Sequence, residues 1–214
     1  MTILVPAYFY PLSFDPNWAG LFEARANITA IINPKSGPGT VRDPCYSWLG
    51  RVSRSTLKFV GYVATTYGAK PLPNVLDEVD RMFQFYPFIC GIFFDECPSD
   101  PGFVSYVTEI VRFAGNAILN FGTIPDGSYA AVPAGAVLFE GDYDKFIAEP
   151  FMRTSKFANR GAIVESVDTR AKAHIVLAKA KSLGMDFLYM TDESERASYA
   201  RLPKPEVWNE LIAA

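Results

Sequence analysis

Apolar positions fall along this chain in short bursts, rich in β-branched and aromatic residues and bounded by polar or turn-forming residues, which is the pattern of strands. Eight bursts can be delimited: ILVPAYFYP (3–11), ITAIINP (28–34), FVGYVAT (59–65), GIFFDE (91–96), NAILNFG (116–122), GAVLFEG (135–141), GAIVESV (161–167) and FLYMTDE (187–193). Between them lie segments with helical spacing, 44–57, 73–86, 101–114 and 170–183, several opened by Pro or Asp and closed near Gly. The stretch 123–135, with Pro125, Pro133, Gly127 and Gly135 and no periodicity, reads as a loop. Eight strands alternating with helices predict an α/β fold, a (β/α)8 TIM barrel forming one compact catalytic domain over residues 1–214. Its helices after strands five and six must be reduced or irregular. An open doubly wound sheet is the alternative, but the first strand leads into YFYPLSFDP, without the Gly-rich phosphate turn such sheets carry.

The polar positions that end these bursts carry the candidate chemistry. In GIFFDECPSD an apolar run stops at two adjacent carboxylates, Asp95 and Glu96, and ionised carboxylates are costly to desolvate without partners. The other runs end in Tyr8 and Tyr10, Asn33 and Lys35, Thr65 and Tyr67, Asn120, Glu140, Glu165, and Thr191 with Asp192. A (β/α)8 barrel gathers the C-terminal ends of its strands at one face, where active sites lie. Side chains alternate along a strand. If Ile92 and Phe94 face the helices, Asp95 faces the barrel axis; likewise Glu140 points inward with Leu138 while Val137 and Phe139 point out. Asp95 and Glu140 then face a shared cleft, and glycoside hydrolysis uses two such carboxylates around one bond. Tyr8, Tyr10 and Tyr67 at the rim can stack on sugar rings.

Composition narrows the classes. The chain has 214 residues, half of them hydrophobic, and a formal charge of −3. Its Lys and Arg are scattered without a basic run, so nucleic acid is not the expected partner. No apolar stretch approaches the roughly 20 residues of a membrane span. MTILVPAYFYP lacks a basic n-region and does not read as a signal peptide, so the chain as written is expected in the cytoplasm unless a leader has been removed. Cys45, Cys90 and Cys97 stand at no metal-ligand spacing and read as buried thiols, with a Cys45–Cys97 pair open to a secreted protein. The single histidine, His174, lies on the helical pattern TRAKAHIVLAKAKSLG; mechanisms built on a Ser-His or Cys-His pair, and His-rich zinc sites, are improbable. No cofactor or metal is expected, and a monomer is.

The motifs VPAYFYP, INPKSGPG, FVGYVATTYG, GIFFDE, the Asn of ILNFG, VLFEG and YMTD, in that order from about residue 3 to 203, resemble the spherulin-4 family, the spherulation-specific proteins that include fungal endo-α-1,4-N-acetylgalactosaminidases. The resemblance implies a (β/α)8 glycoside hydrolase acting on exopolysaccharide with α-1,4-linked galactosamine and N-acetylgalactosamine, and a secretory or extracellular setting. It places the essential acids on Asp95, Glu96 and Glu140. Asp95 is then the nucleophile or direct stabiliser of the transition state, Glu140 the general acid/base, and Glu96 a residue that orients substrate or tunes its neighbours. Tyr8, Tyr10, Asn33, Lys35, Thr65, Tyr67, Asn120, Glu165 and Asp192 are the expected substrate contacts. Lys35 stands where members commonly carry a smaller polar residue, and Glu165 where a His is frequent; both bear on the choice of sugar. A non-catalytic sugar-binding or structural protein of spores or cysts, on the same fold, is the competing expectation, and a glycosidase of another linkage is a third.

Overall fold

A computed structural model of the chain describes residues 1–149, 157–194 and 199–214. Eight parallel strands close into a barrel in chain order: β1 (Thr2–Ala7), β2 (Ile28–Ile32), β3 (Leu57–Ala64), β4 (Ile92–Asp95), β5 (Ala117–Asn120), β6 (Gly135–Asp142), β7 (Arg160–Glu165) and β8 (Phe187–Met190). β8 returns to pair with β1 through Thr2 and Ile3. The fold is thus the (β/α)8 barrel that the alternating bursts imply, and it leaves no strand edge open.

Closure explains Pro6, which lacks the donor a strand interior normally needs. Along β1 the amide of Thr2 donates toward β8 and that of Ile3 toward β2, so even-numbered residues address β8. The pairing with β8 ends at Ile3. Pro6 therefore stands beyond the last β1–β8 pair, where its missing donor interrupts no observed pairing.

Among the described residues, seven α-helices surround the strands: α1 (Pro16–Glu23), α2 (Leu49–Val52), α3 (Leu72–Phe85), α4 (Val104–Ala114), α5 (Tyr143–Ala148), α6 (Arg170–Ser182) and α7 (Pro205–Ile212). Each of the longer ones buries an apolar stripe at helical spacing, for example Val75, Val79 and Met82 on α3 and Val107, Ile110, Val111 and Ala114 on α4. The expected helix 44–57 is broken into a short 3-10 turn, Pro44–Tyr46, and the single turn α2. Ser53 leaves the helical region at ψ 135°, and Arg54 bridges to Leu57 where β3 begins. α1 and α7 were not expected. α1 did carry a start signal, Asp15 before Pro16: the Asp15 carboxylate accepts from the amide of Asn17 at 2.8 Å. As anticipated, β5 and β6 are joined by irregular chain with only the 3-10 turn Gly127–Ala131, and α5 is short.

Apart from a few positions such as the exposed Lys58 on β3, the strands are buried on both faces, and the core runs continuously from the barrel interior to the helix layer. Close packing at the base is set by Gly161 on β7, where a Cβ would come within 2.0 Å of the Phe187 ring. Of the cysteines only Cys97 is buried; Cys45 is half-buried, Cys90 exposed, and all three are free thiols. Among the described residues no helix is long and apolar enough to cross a membrane.

Candidate active site at the C-terminal mouth of the barrel

Three adjacent strands deliver the central groups. β4 ends in Asp95, β5 ends in Asn120, and β6 carries Glu140. The Asn120 amide nitrogen donates to Asp95 Oδ1 at 2.8 Å and to Glu140 Oε2 at 2.5 Å. These two oxygens therefore lie within about 5.3 Å of one another. The Asn120 carbonyl oxygen accepts from the amide of Gly122 at 3.0 Å, which fixes the amide plane and directs its NH2 toward the carboxylates.

The remaining oxygens are held by tyrosines. Tyr62, on β3, donates to Asp95 Oδ2 at 2.8 Å, and Tyr199 donates to Glu140 Oε1 at 2.5 Å. The Tyr199 hydroxyl also lies 3.4 Å from Glu165 Oε1 at the end of β7. Tyr8, just past β1, packs edge-on against Tyr62 and Tyr199, with ring centroids 5.7 and 5.5 Å apart. The result is a ring of phenols around a group of carboxylates. Among the described residues no group of three His, Cys, Asp or Glu side chains is arranged to hold a metal ion.

Glu140 reaches the axis through an irregularity of the strand. Val137 pairs with Gly161 and Phe139 with Ala162, leaving Leu138 as one residue too many. Regular alternation would put Leu138 inside together with Glu140 and Val137 outside with Phe139. The bulge at Leu138 breaks that parity, and alternation restarts at Phe139, which packs on Phe146 of α5 at 5.2 Å while Glu140 turns inward.

Electrostatics separate the two acids from ordinary surface carboxylates. Burial is the main cause that pushes the Glu140 carboxyl above its usual range, with the nearby Asp95 and Glu165 charges acting in the same direction and the donors Tyr199 and Asn120 acting against them. The hydroxyls of Tyr62, Tyr8 and Tyr199 are all pushed up, chiefly by burial and then by neighbouring carboxylates. They remain protonated donors.

The other anticipated contacts fall into distinct places. Glu96 is half-buried next to Asp95 with φ +52°, and its carbonyl accepts from Thr65 Oγ1 at 2.7 Å and from the Tyr67 amide at 2.7 Å. Thr65 is wholly buried and serves this turn. Tyr67 is 67% exposed on the rim. The Asn33 carbonyl oxygen accepts from the Gly37 amide and shapes the loop after β2, on which Lys35 is exposed. Tyr10 is partly exposed and donates to Asp43, away from the acids. Asp192 is engaged by Arg201 at 2.8 Å and by the Lys204 amide at 2.8 Å. Glu165 is buried beside Tyr199.

Two residues of the site carried no expectation. Tyr62 stands three positions before Thr65 and pairs in register with Phe93, while Ala64 pairs with Asp95; counting alternation back from that end would have turned it inward. Tyr199 lies outside every strand and helix, in a chain stretch without periodicity.

Six non-glycine residues have a left-handed backbone among those described: Ser36, Thr66, Tyr67, Glu96, Ser166 and Tyr199. All six lie in segments that follow strands at this one mouth. Such conformations are unfavourable for bulky side chains and collect at functional sites.

Comparison with known proteins agrees with this architecture. In shape the chain is similar to Sph3 of Aspergillus clavatus, whose crystal structure was solved in complex with GalNAc: the TM-score is 0.80 at 23% identity, covering 99% of this chain and 97% of that one. In sequence it is 30% identical over 208 residues to Spherulin-4 of Physarum polycephalum, covering 89% of this chain. The chain spans 63% of the length of that curated relative. The model of spherulation-specific family 4 matches residues 2–214, and the chain belongs to that family.

Proposed function

We propose that this chain is a glycoside hydrolase cutting within polysaccharide that contains α-1,4-linked N-acetylgalactosamine and galactosamine, by a retaining mechanism with two carboxylates. The observation that carries the proposal is the pair Asp95 and Glu140, bridged by one amide nitrogen at 2.8 and 2.5 Å. Retaining glycosidases hold their two carboxyl groups about 5–5.5 Å apart, whereas inverting ones need about 6.5–9.5 Å to admit a water. The 5.3 Å upper bound on this oxygen pair favours the former.

In this reading Glu140 enters the reaction protonated, a state that its burial and its acidic neighbours promote. It gives that proton to the glycosidic oxygen as the bond to the anomeric carbon breaks. Asp95, oriented by the donors Tyr62 and Asn120, attacks the same carbon and forms a glycosyl-enzyme ester. Glu140, now a carboxylate, takes a proton from water, and the resulting hydroxide displaces Asp95. Glu96 and the rim residues Tyr8 and Tyr67 are the proposed contacts to the sugar rings. The crystal structure of Sph3 with GalNAc supports the choice of sugar.

The test is incubation of the purified chain with partly deacetylated α-1,4-poly-N-acetylgalactosamine, counting new reducing ends and following the first-formed anomer by NMR. New ends with retained configuration are expected. Binding without cleavage would instead make the chain a sugar-binding member of its family, and an inverted first product would overturn the retaining mechanism.

A further inference from the structure

Tyr199 has no place in the reaction as written, yet it is among the most constrained residues of the mouth. Its backbone is left-handed at φ +78°, a conformation that a bulky residue adopts only where its surroundings impose it. The chain just beyond it is anchored three times. Arg201 forms a two-pronged contact with Asp192 at 3.1 and 2.8 Å and an ion pair with Glu193 at 3.0 Å; the Leu202 amide donates to Asn17 of α1 at 2.8 Å; and the Lys204 amide donates to Asp192. The ring is flanked by Tyr8 and Tyr189, with centroids 5.5 and 6.2 Å away. A residue held this firmly is built to keep its hydroxyl in place.

That hydroxyl lies between two carboxylates, 2.5 Å from Glu140 Oε1 and 3.4 Å from Glu165 Oε1. Glu165 is only 3% exposed, too enclosed to be a ready contact for a polymer. We propose that Tyr199 and Glu165 are a positioning pair for Glu140: the hydroxyl fixes the orientation of the carboxyl while Glu165 opposes its charge, and together they govern when Glu140 holds its proton. The proposal rests on the reading of Glu140 as the acid/base. It moves Glu165 from the sugar contacts to the support of the acid.

The two partners act in opposite senses. A donor stabilises the ionised carboxyl, and a neighbouring negative charge disfavours it; both effects are present at Glu140, behind the larger effect of burial. Among the described residues, the titratable groups around it are Asp95 from β4, Glu165 from β7, Tyr62 from β3, Tyr8 and Tyr67 from the loops after β1 and β3, and Tyr199. Asp95 is common to every comparison below, and the tyrosines remain neutral over the working range.

The experiment is a titration of the Glu140 carboxyl by 13C NMR in protein labelled at glutamate, assigned with Glu140→Gln, in the wild type, Tyr199→Phe and Glu165→Gln. Tyr199→Phe should move the midpoint upward and Glu165→Gln downward. On polymer, the alkaline limb of kcat/KM should move in the same two directions, and kcat of Tyr199→Phe should fall about tenfold with KM little changed. Midpoints that stay put, or that move together, overturn the pair. Should Tyr199→Phe fail to fold, an unmoved midpoint in Glu165→Gln is sufficient to overturn it. Opposite shifts in a protein that cleaves no polymer would uphold the pair and reject the glycosidase reading alone, since the NMR titration needs no substrate.

Discussion

Asp95 and Glu140 are joined through a single nitrogen, the amide of Asn120, which donates one hydrogen to each. Two carboxylates this close repel one another, and a shared neutral donor both offsets that repulsion and sets the gap between them. Asn120→Ala should therefore lower kcat by about a hundredfold, the scale of loss when reacting groups are misplaced by about an ångström, with a small effect on KM. Steady-state kinetics on the polymer, paired with a structure of the variant showing the carboxylates moved apart, would check this. Unchanged kcat would remove Asn120 from the site.

Replacing either acid itself should cost more. Asp95→Asn and Glu140→Gln keep shape while removing the proposed nucleophile or the proposed proton transfer, and each should lower turnover by about two orders of magnitude or more. Circular dichroism should remain that of the wild type. A variant with wild-type turnover would exclude its residue from the mechanism.

The raised Glu140 carboxyl also links pH to stability. A carboxyl whose folded value lies above its unfolded one binds more protons when folded, so the fold loses stability as pH rises from the unfolded value through the folded one. Glu140→Gln should thus have the higher melting temperature at neutral pH. The difference should disappear below the ordinary carboxylate range, where both proteins are neutral at this position. Melting curves from pH 3 to 8 would show it, and a variant that melts lower at neutral pH would contradict it.

On the proposed activity, salt should weaken cleavage of one substrate more than of another. Asp95, Glu96, Glu140 and Glu165 gather at the mouth, whereas Arg201 and Lys204 are committed to Asp192. Such a cleft attracts polymer bearing free amines, and the attraction is screened over about 10 Å at 0.1 M salt. KM for partly deacetylated polymer should rise with added salt while KM for fully acetylated polymer changes little. Equal dependence for both would argue against electrostatic capture.

His174 supplies the control. It is exposed on α6 and contacts Glu210 of α7 on the outer surface. His174→Ala should leave turnover unchanged and lower the melting temperature slightly, because the Glu210 carboxyl, held below its usual range first by His174 and then also by Arg170, loses a partner. A large loss of turnover in a folded variant would contradict the placement of the site.

Most of the fold and the heart of the candidate site can be read from the chain, for a physical reason. Strand bursts are local, and the closed barrel turns the end of each burst into a position at one mouth, so Asp95 and Glu140 can be singled out by counting alternation. What alternation cannot see is partnership. Asn33, Thr65 and Asp192 end their bursts as polar residues should, yet their side chains serve loop geometry: Asn33 accepts from Gly37, Thr65 donates to the Glu96 carbonyl, and Asp192 binds Arg201. Tyr62 was within reach of the same counting, one alternation step behind the Ala64–Asp95 pair. Tyr199 was not, because it is placed by ion pairs and hydrogen bonds to segments far away in sequence. The broken helix at 44–57 fails for a related reason: Trp48 donates to the Pro11 carbonyl at 2.8 Å, and this tie to the loop after β1 is invisible to local spacing.

The extra residue at Leu138 gives β6 something like a reading frame. Deleting Leu138 would only remove the bulge, leaving Val137 opposite Gly161 and Phe139 opposite Ala162 with Glu140 on its present side; a second one-residue deletion ahead of Phe139, with no bulge left to absorb it, would exchange the sides of Phe139 and Glu140 and turn the acid toward α5. One residue of rise, about 3.3 Å, also exceeds the gap between the largest retaining and the smallest inverting separation. On the proposed mechanism, both the facing of the second acid and the stereochemistry it supports would follow whole-number counting along a single strand. Insertions or deletions in β6 thus offer a discrete route from an acid-bearing mouth to a silent one, with no change to the fold around it.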